Sequence, residues 1–167
     1  MRLTILTTGG TIDKTYDELQ GSLRNSRTVL DLLLGSLRLP DLSIRHVEVM
    51  HKDSLDLTDE DREIITNAVC DAVPTSDAIV ILHGTDTLEK TGEHFHRTCE
   101  GFTIPVILTG AMRPYEFRDT DALQNVTEAL VAARLLSGGV YVVMHNRVLG
   151  FPGVVKDRQA GTFVRTS

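Results

Sequence analysis

Short apolar segments alternate with longer segments of helical spacing along most of the chain. The apolar segments are rich in Val, Ile and Leu, have strand length, and cover residues 3–7, 43–49, 78–82, 104–108 and 140–144. Between them, apolar residues recur three and four positions apart in residues 29–37, 59–73, 88–99 and 120–136. The pattern predicts strands connected by crossover helices.

Strands that are apolar on both faces and alternate with helices are typical of a mostly parallel sheet covered on each side. A chain of 167 residues suffices for one compact core. We therefore predict a single-domain, doubly wound α/β fold with three Rossmann-like layers. Residues 147–167 lack clear periodicity and contain several Gly and Pro residues, so we expect a loop there with at most a short edge strand.

Composition and charge indicate which kinds of molecule the protein binds. The apolar stretches are far shorter than a membrane span, which argues against membrane insertion. The formal net charge of -6, without a basic stripe, argues against nucleic acid. A small molecule is the expected partner. The N-terminus lacks the long apolar core of a secretory signal, which predicts a cytoplasmic protein.

The cysteines and histidines do not indicate a disulfide or a metal site. Cys70 and Cys99 fall in predicted helices, and we expect both to be buried thiols. The six histidines are scattered, and His94 and His96 do not share a helix face. We expect neither a metal nor another cofactor.

Small and polar residues follow each predicted strand. Parallel α/β sheets bind ligands beyond the carboxyl ends of their strands, so these residues are the candidates for chemistry. They lie at residues 8–11, 53–54, 83–86 and 109–111, and at Lys156 in the last loop. We expect these five loops to converge on one edge of the sheet.

The first of these segments, Thr8-Gly9-Gly10-Thr11, has two interpretations. Paired glycines let backbone amides approach a developing oxyanion beside a hydroxyl. Alternatively, the segment is a tight turn with a capping threonine. It lacks the Gly-Lys-Ser/Thr ending of a phosphate loop and the Gly-x-Gly-x-x-Gly pattern, so nucleotide binding is not predicted.

The segment around His83 is also open to two interpretations, which are compatible with each other. Asp86 and Glu89 have the spacing of a helix capping box. Alternatively, Thr85 and Asp86 supply a hydroxyl, a backbone amide and a carboxylate to a ligand. We expect His83 to be a partly buried histidine with its hydrogen bonds satisfied, not a catalytic base.

Taken together and in order, these segments resemble the bacterial-type L-asparaginase and glutaminase family, which also includes the asparaginase-like subunit of archaeal Glu-tRNA amidotransferase. The resemblance extends over essentially the whole chain and is carried by residues 8–12, 53–58, 83–87 and 109–114, by Asp121 with Asn125, and by Lys156. It implies hydrolysis of L-asparagine to L-aspartate and ammonia through a threonine nucleophile. The alternatives are hydrolysis of glutamine or another small amide, and a weakly catalytic amino-acid-binding module.

The resemblance also implies roles for individual residues. Thr11 would be the nucleophile, Tyr16 on a lid its activator, and Thr85 with Lys156 a second hydroxyl–amine pair. The remaining roles concern the substrate. Asp86 would bind its ammonium group, Ser54 would bind its α-carboxylate, and the Ala111 carbonyl would bind its side-chain amide. Gly10 and Asp53 would also line the site. The amides of Thr11 and Thr85 would form the oxyanion hole.

The chemistry of these residue types agrees with those roles. A threonine hydroxyl is a weak nucleophile that needs an adjacent base, and a crowded lysine can accept its proton. A zwitterionic amino acid needs a carboxylate for its ammonium group and donors for its carboxylate. Which threonine attacks, and whether Tyr16 or Lys156 takes the proton, stays open at this point, and we favour Thr11 as the nucleophile.

Three departures from the family pattern affect these expectations. Leu55 stands where relatives commonly have a polar residue, which removes a donor from the carboxylate site. The segment between Thr11 and Tyr16 is shorter than the usual lid, so Tyr16 could instead be a surface residue. Residues 1–167 correspond to the N-terminal type of domain, without the usual C-terminal domain, so the chain is either naturally short or truncated. We expect homo-oligomers to cover the open side of the site.

Overall fold

The computed structural model describes residues 1–25, 28–99 and 101–166. Its helices are α1 (Leu30–Gly35), α2 (Asp59–Ala72), α3 (Leu88–Thr98) and α4 (Ala122–Leu135). Its strands are β1 (Arg2–Gly9), β2 (Lys14–Asp17), β3 (Ser22–Asn25), β4 (Ser43–Lys52), β5 (Ala78–Leu82), β6 (Pro105–Thr109), β7 (Gly139–Met144), β8 (Arg147–Gly150), β9 (Val154–Asp157) and β10 (Thr162–Arg165).

Six strands form the central sheet in the order β4-β1-β5-β6-β7-β8. The first five are parallel, and β8 runs antiparallel to β7. The chain passes from β1 to β4 on one side and then returns to β5 on the other. The boundary between β1 and β5 is therefore the topological switch point, where open α/β sheets form a crevice for ligands.

Helices cover both faces of this sheet. On one face, α1 and α4 pack against strand residues that include Ile5, Val80 and Ile107. On the other face, α2, α3 and the β9–β10 hairpin pack against Leu6, Ile79 and neighbouring residues. Every residue of β5 and β6 is buried, as expected for central strands. The predicted three-layer, doubly wound α/β fold is confirmed.

For residues 147–167, the predicted short edge strand is confirmed by β8 at the edge of the central sheet, but the predicted loop is wrong for the rest of the part that the structure describes. Ser167 lies outside that part. This region holds β8, β9 and β10. His145 and Asn146 have φ values of 53° and 60° and form a two-residue turn between β7 and β8. The β9–β10 hairpin buries Val154 and Phe163 against the core. Short hairpins of this kind have too few positions to show a period.

Two further features differ from expectation. The antiparallel pair β2–β3, which follows the first glycine-rich segment, was not predicted. The prediction that both cysteines are buried is wrong, because Cys70 is exposed and Cys99 partly exposed, and both are free thiols.

None of the helices among the described residues is long and apolar enough to cross a membrane. No group of acidic, histidine and cysteine side chains in those residues is arranged to hold a metal ion.

Candidate active site

Glycines bring the loops at the switch point into backbone contact. Gly10 has a φ of +90°, and a Cβ atom at this position would lie 2.4 Å from Cα of Gly84. A Cβ atom at Gly110 would lie 2.2 Å from the carbonyl oxygen of His83. Only glycine allows both approaches. The loops after β1, β5 and β6 therefore meet directly.

Hydrogen bonds add the loop after β4 to this assembly. The amide of Gly10 donates to the Lys52 carbonyl at 3.0 Å. The hydroxyl of Thr87 donates to the Ser54 carbonyl at 2.7 Å and is buried. The strand-end loops thus converge on one edge of the sheet, as the sequence predicts, and Thr11, Ser54, Thr85 and Ala111 lie on them.

Lys156 lies on β9 and not in the predicted last loop, and its side chain reaches the same edge. Its Nζ donates to Oγ1 of Thr85 at 2.8 Å and to Oδ1 of Asp86 at 2.9 Å. Nη1 of Arg158 donates to the same Asp86 oxygen at 3.0 Å. The Lys156 side chain is only 11% exposed, because β9 pairs with β10 and packs on the core. Thr85, Asp86 and Lys156 therefore form a hydroxyl–carboxylate–amine cluster.

The charge state of Asp86 follows from its partners. Partial burial alone would raise the pKa of this carboxyl, but the hydrogen bonds and charges of Lys156 and Arg158 outweigh burial and lower the pKa below its usual value. Asp86 is thus anionic at neutral pH. A carboxylate that is part exposed and partly neutralised can accept an incoming ammonium group.

The capping-box interpretation of this segment is wrong. The N-cap of α3 is Thr87, and no side-chain hydrogen bond caps the helix. Asp86 accepts from Lys156 and Arg158 instead of from the first helical amides. A capping aspartate must turn toward its own helix, and two cations draw this carboxylate toward β9.

Thr11 begins a 3-10 turn, Thr11–Asp13, directly after the glycine pair. It is half-buried, and its hydroxyl is not hydrogen-bonded to any described residue. Asp13, which the sequence did not mark, anchors this turn: its Oδ1 accepts from the Val29 amide at 2.8 Å and from the Thr28 hydroxyl at 3.1 Å. Burial raises the pKa of Asp13 despite these hydrogen bonds.

Tyr16 lies farther along, on β2 of the exposed hairpin. Its side chain is 58% exposed, and a Cβ atom at Gly21, in the hairpin turn, would lie 4.0 Å from the tyrosine hydroxyl. Its backbone amide donates to Oε2 of Glu116 at 2.8 Å. This backbone hydrogen bond connects Tyr16 to the loop after β6. No hydrogen bond among the described residues links the Tyr16 hydroxyl to Thr11.

Ser54 supplies a second free hydroxyl. It is 1% exposed, its Oγ has no hydrogen-bond partner among the described residues, and a Cβ atom at Gly84 would lie 2.6 Å from that oxygen. Asp53 caps the short turn by accepting from the Leu55 amide at 3.1 Å, and its carboxylate pairs with Lys14 at 2.5 Å. Burial opposes ionisation of Asp53, but these partners lower its pKa. Leu55 itself is 66% exposed and offers no polar side chain.

The loop that carries Ala111 is held in place by Asp121. This carboxylate accepts from the amides of Met112 and Arg113 at 3.0 Å and contacts Nε2 of His145 at 2.8 Å. Burial would raise the pKa of Asp121, but these contacts lower it. Asn125 donates to the Gly110 carbonyl at 2.9 Å. Ala111 is thereby buried at the edge of the site.

His83 is fully buried, and both of its ring nitrogens are engaged. Nδ1 lies 2.8 Å from the Gly84 carbonyl oxygen and Nε2 lies 2.9 Å from the Thr91 hydroxyl. Desolvation lowers its pKa to about 4, so the ring is neutral near pH 7. The expectation of a satisfied histidine is confirmed, although the burial is complete rather than partial.

Comparison with known proteins identifies the family of the chain. A family model described as Asparaginase, N-terminal, matches residues 2–160. The chain is 34% identical to an L-asparaginase of Thermococcus kodakarensis over 149 residues, which are 89% of this chain and 45% of that protein. The solved structure of the thermostable L-asparaginase from the same organism superposes with a TM-score of 0.90 at 33% identity, covering 99% of this chain and 51% of that one.

Other relatives include a probable periplasmic L-asparaginase and an amidotransferase subunit. A probable periplasmic L-asparaginase of Haemophilus influenzae is 34% identical over 164 residues, covering 92% of this chain and 46% of that protein. One subunit of the glutamyl-tRNA(Gln) amidotransferase of Methanococcus vannielii is 30% identical over 148 residues, covering 87% of this chain and 34% of that protein. The chain thus spans less than half the length of these curated relatives. On the family match, the shared fold and the converging loops, it belongs to the asparaginase family.

Proposed function

We propose that the chain hydrolyses L-asparagine to L-aspartate and ammonia. The observation that carries the proposal is the 2.8 Å contact between Nζ of Lys156 and Oγ1 of Thr85, beside the carboxylate of Asp86. Support for including Thr11 comes from the close approach of Gly10 to Gly84, which directly precede Thr11 and Thr85 in the chain. Two hydroxyls, an amine and a carboxylate at one ligand edge suit acyl transfer from an amide.

In the proposed reaction, the Thr11 hydroxyl attacks the side-chain amide carbon and gives up its proton to a base. The amides of Thr11 and Thr85 hydrogen-bond the developing oxyanion. The amide nitrogen leaves as ammonia after gaining a proton, and water then releases aspartate from the acyl-enzyme. Thr85, already in contact with Lys156, is the alternative nucleophile. In this proposal Tyr16 is the candidate activator of Thr11.

Charge and free donors decide how the substrate binds in this proposal. Asp86 accepts the ammonium group, while the unpartnered Ser54 hydroxyl donates to the α-carboxylate. The Ala111 carbonyl accepts from the side-chain amide. Asp53 and Gly10 line the proposed substrate site. Asp53 forms an ion pair with Lys14, and the backbone of Gly10 contacts that of Gly84.

Ammonia release from L-asparagine and L-glutamine tests this proposal. We expect Thr11→Ala, Thr85→Val and Lys156→Met each to lower kcat by about a hundredfold or more, with circular dichroism unchanged. Thr127→Val, which removes an exposed hydroxyl on α4, is the matched control and should leave kcat intact. Near-normal activity of Thr11→Ala would transfer the nucleophile role to Thr85.

The exposure of Leu55 supports two alternative functions. The exposed Leu55 weakens the carboxylate side of the site, which favours either a broader amide specificity or a binding module that turns over slowly. Binding of asparagine without ammonia release from the unmodified chain would select the binding module. Faster release from glutamine than from asparagine would select a glutaminase.

We also propose that the protein acts in the cytoplasm as a homo-oligomer. Self-association would shield from water a site whose residues Asp86 and Arg158 are partly open to solvent. Light scattering at assay concentrations tests this part, and a fully active monomer would contradict it.

A further inference from the structure

A surface groove of about 530 Å³ lies between α2 and the segment that follows α3. Both cysteines of the chain line this groove, Cys70 near the end of α2 and Cys99 directly after α3. Cys70 is exposed, Cys99 is partly exposed, and both are free thiols. The proposed reaction uses neither side chain, so the groove is a separate candidate for chemistry.

The two thiols are neighbours within the groove. Burial raises the pKa of the Cys99 thiol, and the charge and the hydrogen bonding of the Cys70 side chain raise it further. Both effects of Cys70 require the two sulfur atoms to lie close together. On the other side of Cys99, Oγ1 of Thr98 lies 3.8 Å from its Sγ, and this contact acts in the opposite direction on the pKa.

The packing beneath the groove fixes the separation of the two thiols. Val69, which precedes Cys70, and Phe95 of α3 are fully buried in the same core cluster. The ring of Phe95 contacts that of Phe102 edge to face, with 6.4 Å between their centroids, and Phe102 also lines the groove. The helix ends that lead to the cysteines are therefore anchored to one another through the core.

Two accessible thiols side by side favour oxidation over metal binding. No set of three or more histidine, cysteine and acidic side chains in the described part of the chain could hold a metal ion, so the pair lacks further ligands. Accessible thiols exchange with disulfides through their thiolates. A second thiol beside the first makes the last step of this exchange intramolecular.

We propose that Cys70 and Cys99 are a site of reversible oxidation, which a low-molecular-weight disulfide such as oxidised glutathione converts into a Cys70–Cys99 disulfide. The thiolate of Cys70, the more exposed residue, attacks the external disulfide and releases one thiolate. The thiolate of Cys99 then attacks the sulfur of Cys70 and releases the second. One S–S bond breaks and one forms, and the two released thiolates take up the two cysteine protons.

The position of the pair predicts an effect on stability. α2 and α3 both begin after strand-end loops of the candidate site, and the cysteines lie at the opposite ends of these helices. A bond there joins two elements of the same face of the sheet without contacting the catalytic cluster. The inference is independent of the proposed hydrolysis, since it can be tested without substrate.

Incubation of the full chain with oxidised glutathione, followed by mass spectrometry, tests the proposal. We expect a product that is lighter than the reduced chain by two hydrogen atoms and carries no glutathione, and dithiothreitol should reverse the change. The oxidised chain should melt about 5 to 10 °C above the reduced chain, because a bond across this loop restricts the unfolded chain.

Two variants identify the bond, because the chain contains no other cysteine. Cys70→Ser and Cys99→Ser each leave a single thiol, so we expect each variant to retain one glutathione as a mixed disulfide. Neither should gain melting temperature on oxidation. In the reduced state both should melt like the unmodified chain, since serine has nearly the same size.

The unfolded chain is the control for proximity. In a buffer that contains both oxidised and reduced glutathione, we expect the ratio of internal disulfide to mixed disulfide to be at least about tenfold higher in the folded chain than in urea. The fold holds the two sulfurs together, whereas the unfolded loop must first close.

Several outcomes would overturn the proposal. A folded chain that stays reduced, or that retains glutathione on both cysteines, would show that the sulfurs do not reach each other. Dimers on a non-reducing gel would assign the oxidation to contacts between chains. Equal ratios in buffer and in urea would mean that the fold does not bring the pair together, and a lower melting temperature after oxidation would mean that the bond does not fit the native helices.

Discussion

Two cations share one carboxylate oxygen in the candidate site, and their exposures differ. The Lys156 side chain is 11% exposed, whereas that of Arg158 is 68% exposed, and both contact Oδ1 of Asp86. An exposed ion pair contributes little and is easily displaced. An ammonium group that approaches Asp86 therefore competes with Arg158, while Lys156 stays in place beside Thr85.

This competition predicts the effect of Arg158→Gln. We expect the KM for L-asparagine to fall by up to about fivefold, because an exposed pair of this kind is worth at most about 1 kcal/mol. kcat should not change, since Lys156 and Thr85 are untouched. Steady-state kinetics of the variant, with Arg134→Gln as control, measure both constants. A rise in KM would instead mean that Arg158 binds the substrate carboxylate.

At the scale of elements, the β9 strand owes its position to contacts on α3. The ring of Phe151, in the connection from β8 to β9, lies so close to Gly92 that a Cβ atom there would be 2.1 Å from Cζ. The Gly153 amide donates to Glu93 on the same helix at 2.6 Å. α3 thus begins two residues after Asp86 and holds, along its side, the segment that leads to Lys156.

Two glycine substitutions test this packing. Gly92→Ala forces the Phe151 ring away, and we expect it to lower the free energy of unfolding by about 1–3 kcal/mol. Gly35→Ala, at the end of α1, has no atom within 4 Å of the added methyl group and should be neutral or stabilise by up to about 1 kcal/mol. Urea unfolding compares the two variants. Equal effects would show that the Phe151 contact does not constrain the helix.

At the scale of the whole molecule, the buried His83 makes stability depend on pH. Its pKa in the folded state is about 4, against an ordinary value of 6.5. Between these values the unfolded chain binds a proton that the folded chain does not. This contribution to stability is therefore complete above pH 6.5 and is lost as the pH falls toward 4, by roughly 3 kcal/mol at most.

The prediction can be checked with urea midpoints at pH 7 and pH 4.5. We expect the midpoint of the unmodified protein to fall more than that of His83→Gln, whose amide can keep contacts to Gly84 and Thr91 without titrating. His96→Gln removes an exposed histidine and should behave like the unmodified protein. An identical fall in all three proteins would assign the pH dependence to other groups.

Much of the architecture could be predicted because burial imposes a local period. β5 and β6 are buried at every position and read as continuous apolar runs, and the helices between strands show the three- and four-residue spacing of one packed face. The hairpins β2–β3 and β9–β10 could not be predicted. Each strand has four residues with mixed exposure, so its pairing rather than its pattern defines it.

For this protein, the sequence alone determined the layers of the fold, the strand ends that carry polar residues and the family to which they point, since these depend on neighbours along the chain. Tertiary structure decided which of those residues meet. Thr85 and Lys156 are 71 positions apart, and the close passage of Gly10 over Gly84 is visible only in three dimensions. The local sequence predicted Asp86 as a helix cap, but in the folded chain Asp86 pairs with Lys156 and Arg158, because these contacts with a distant segment are stronger than the capping hydrogen bonds.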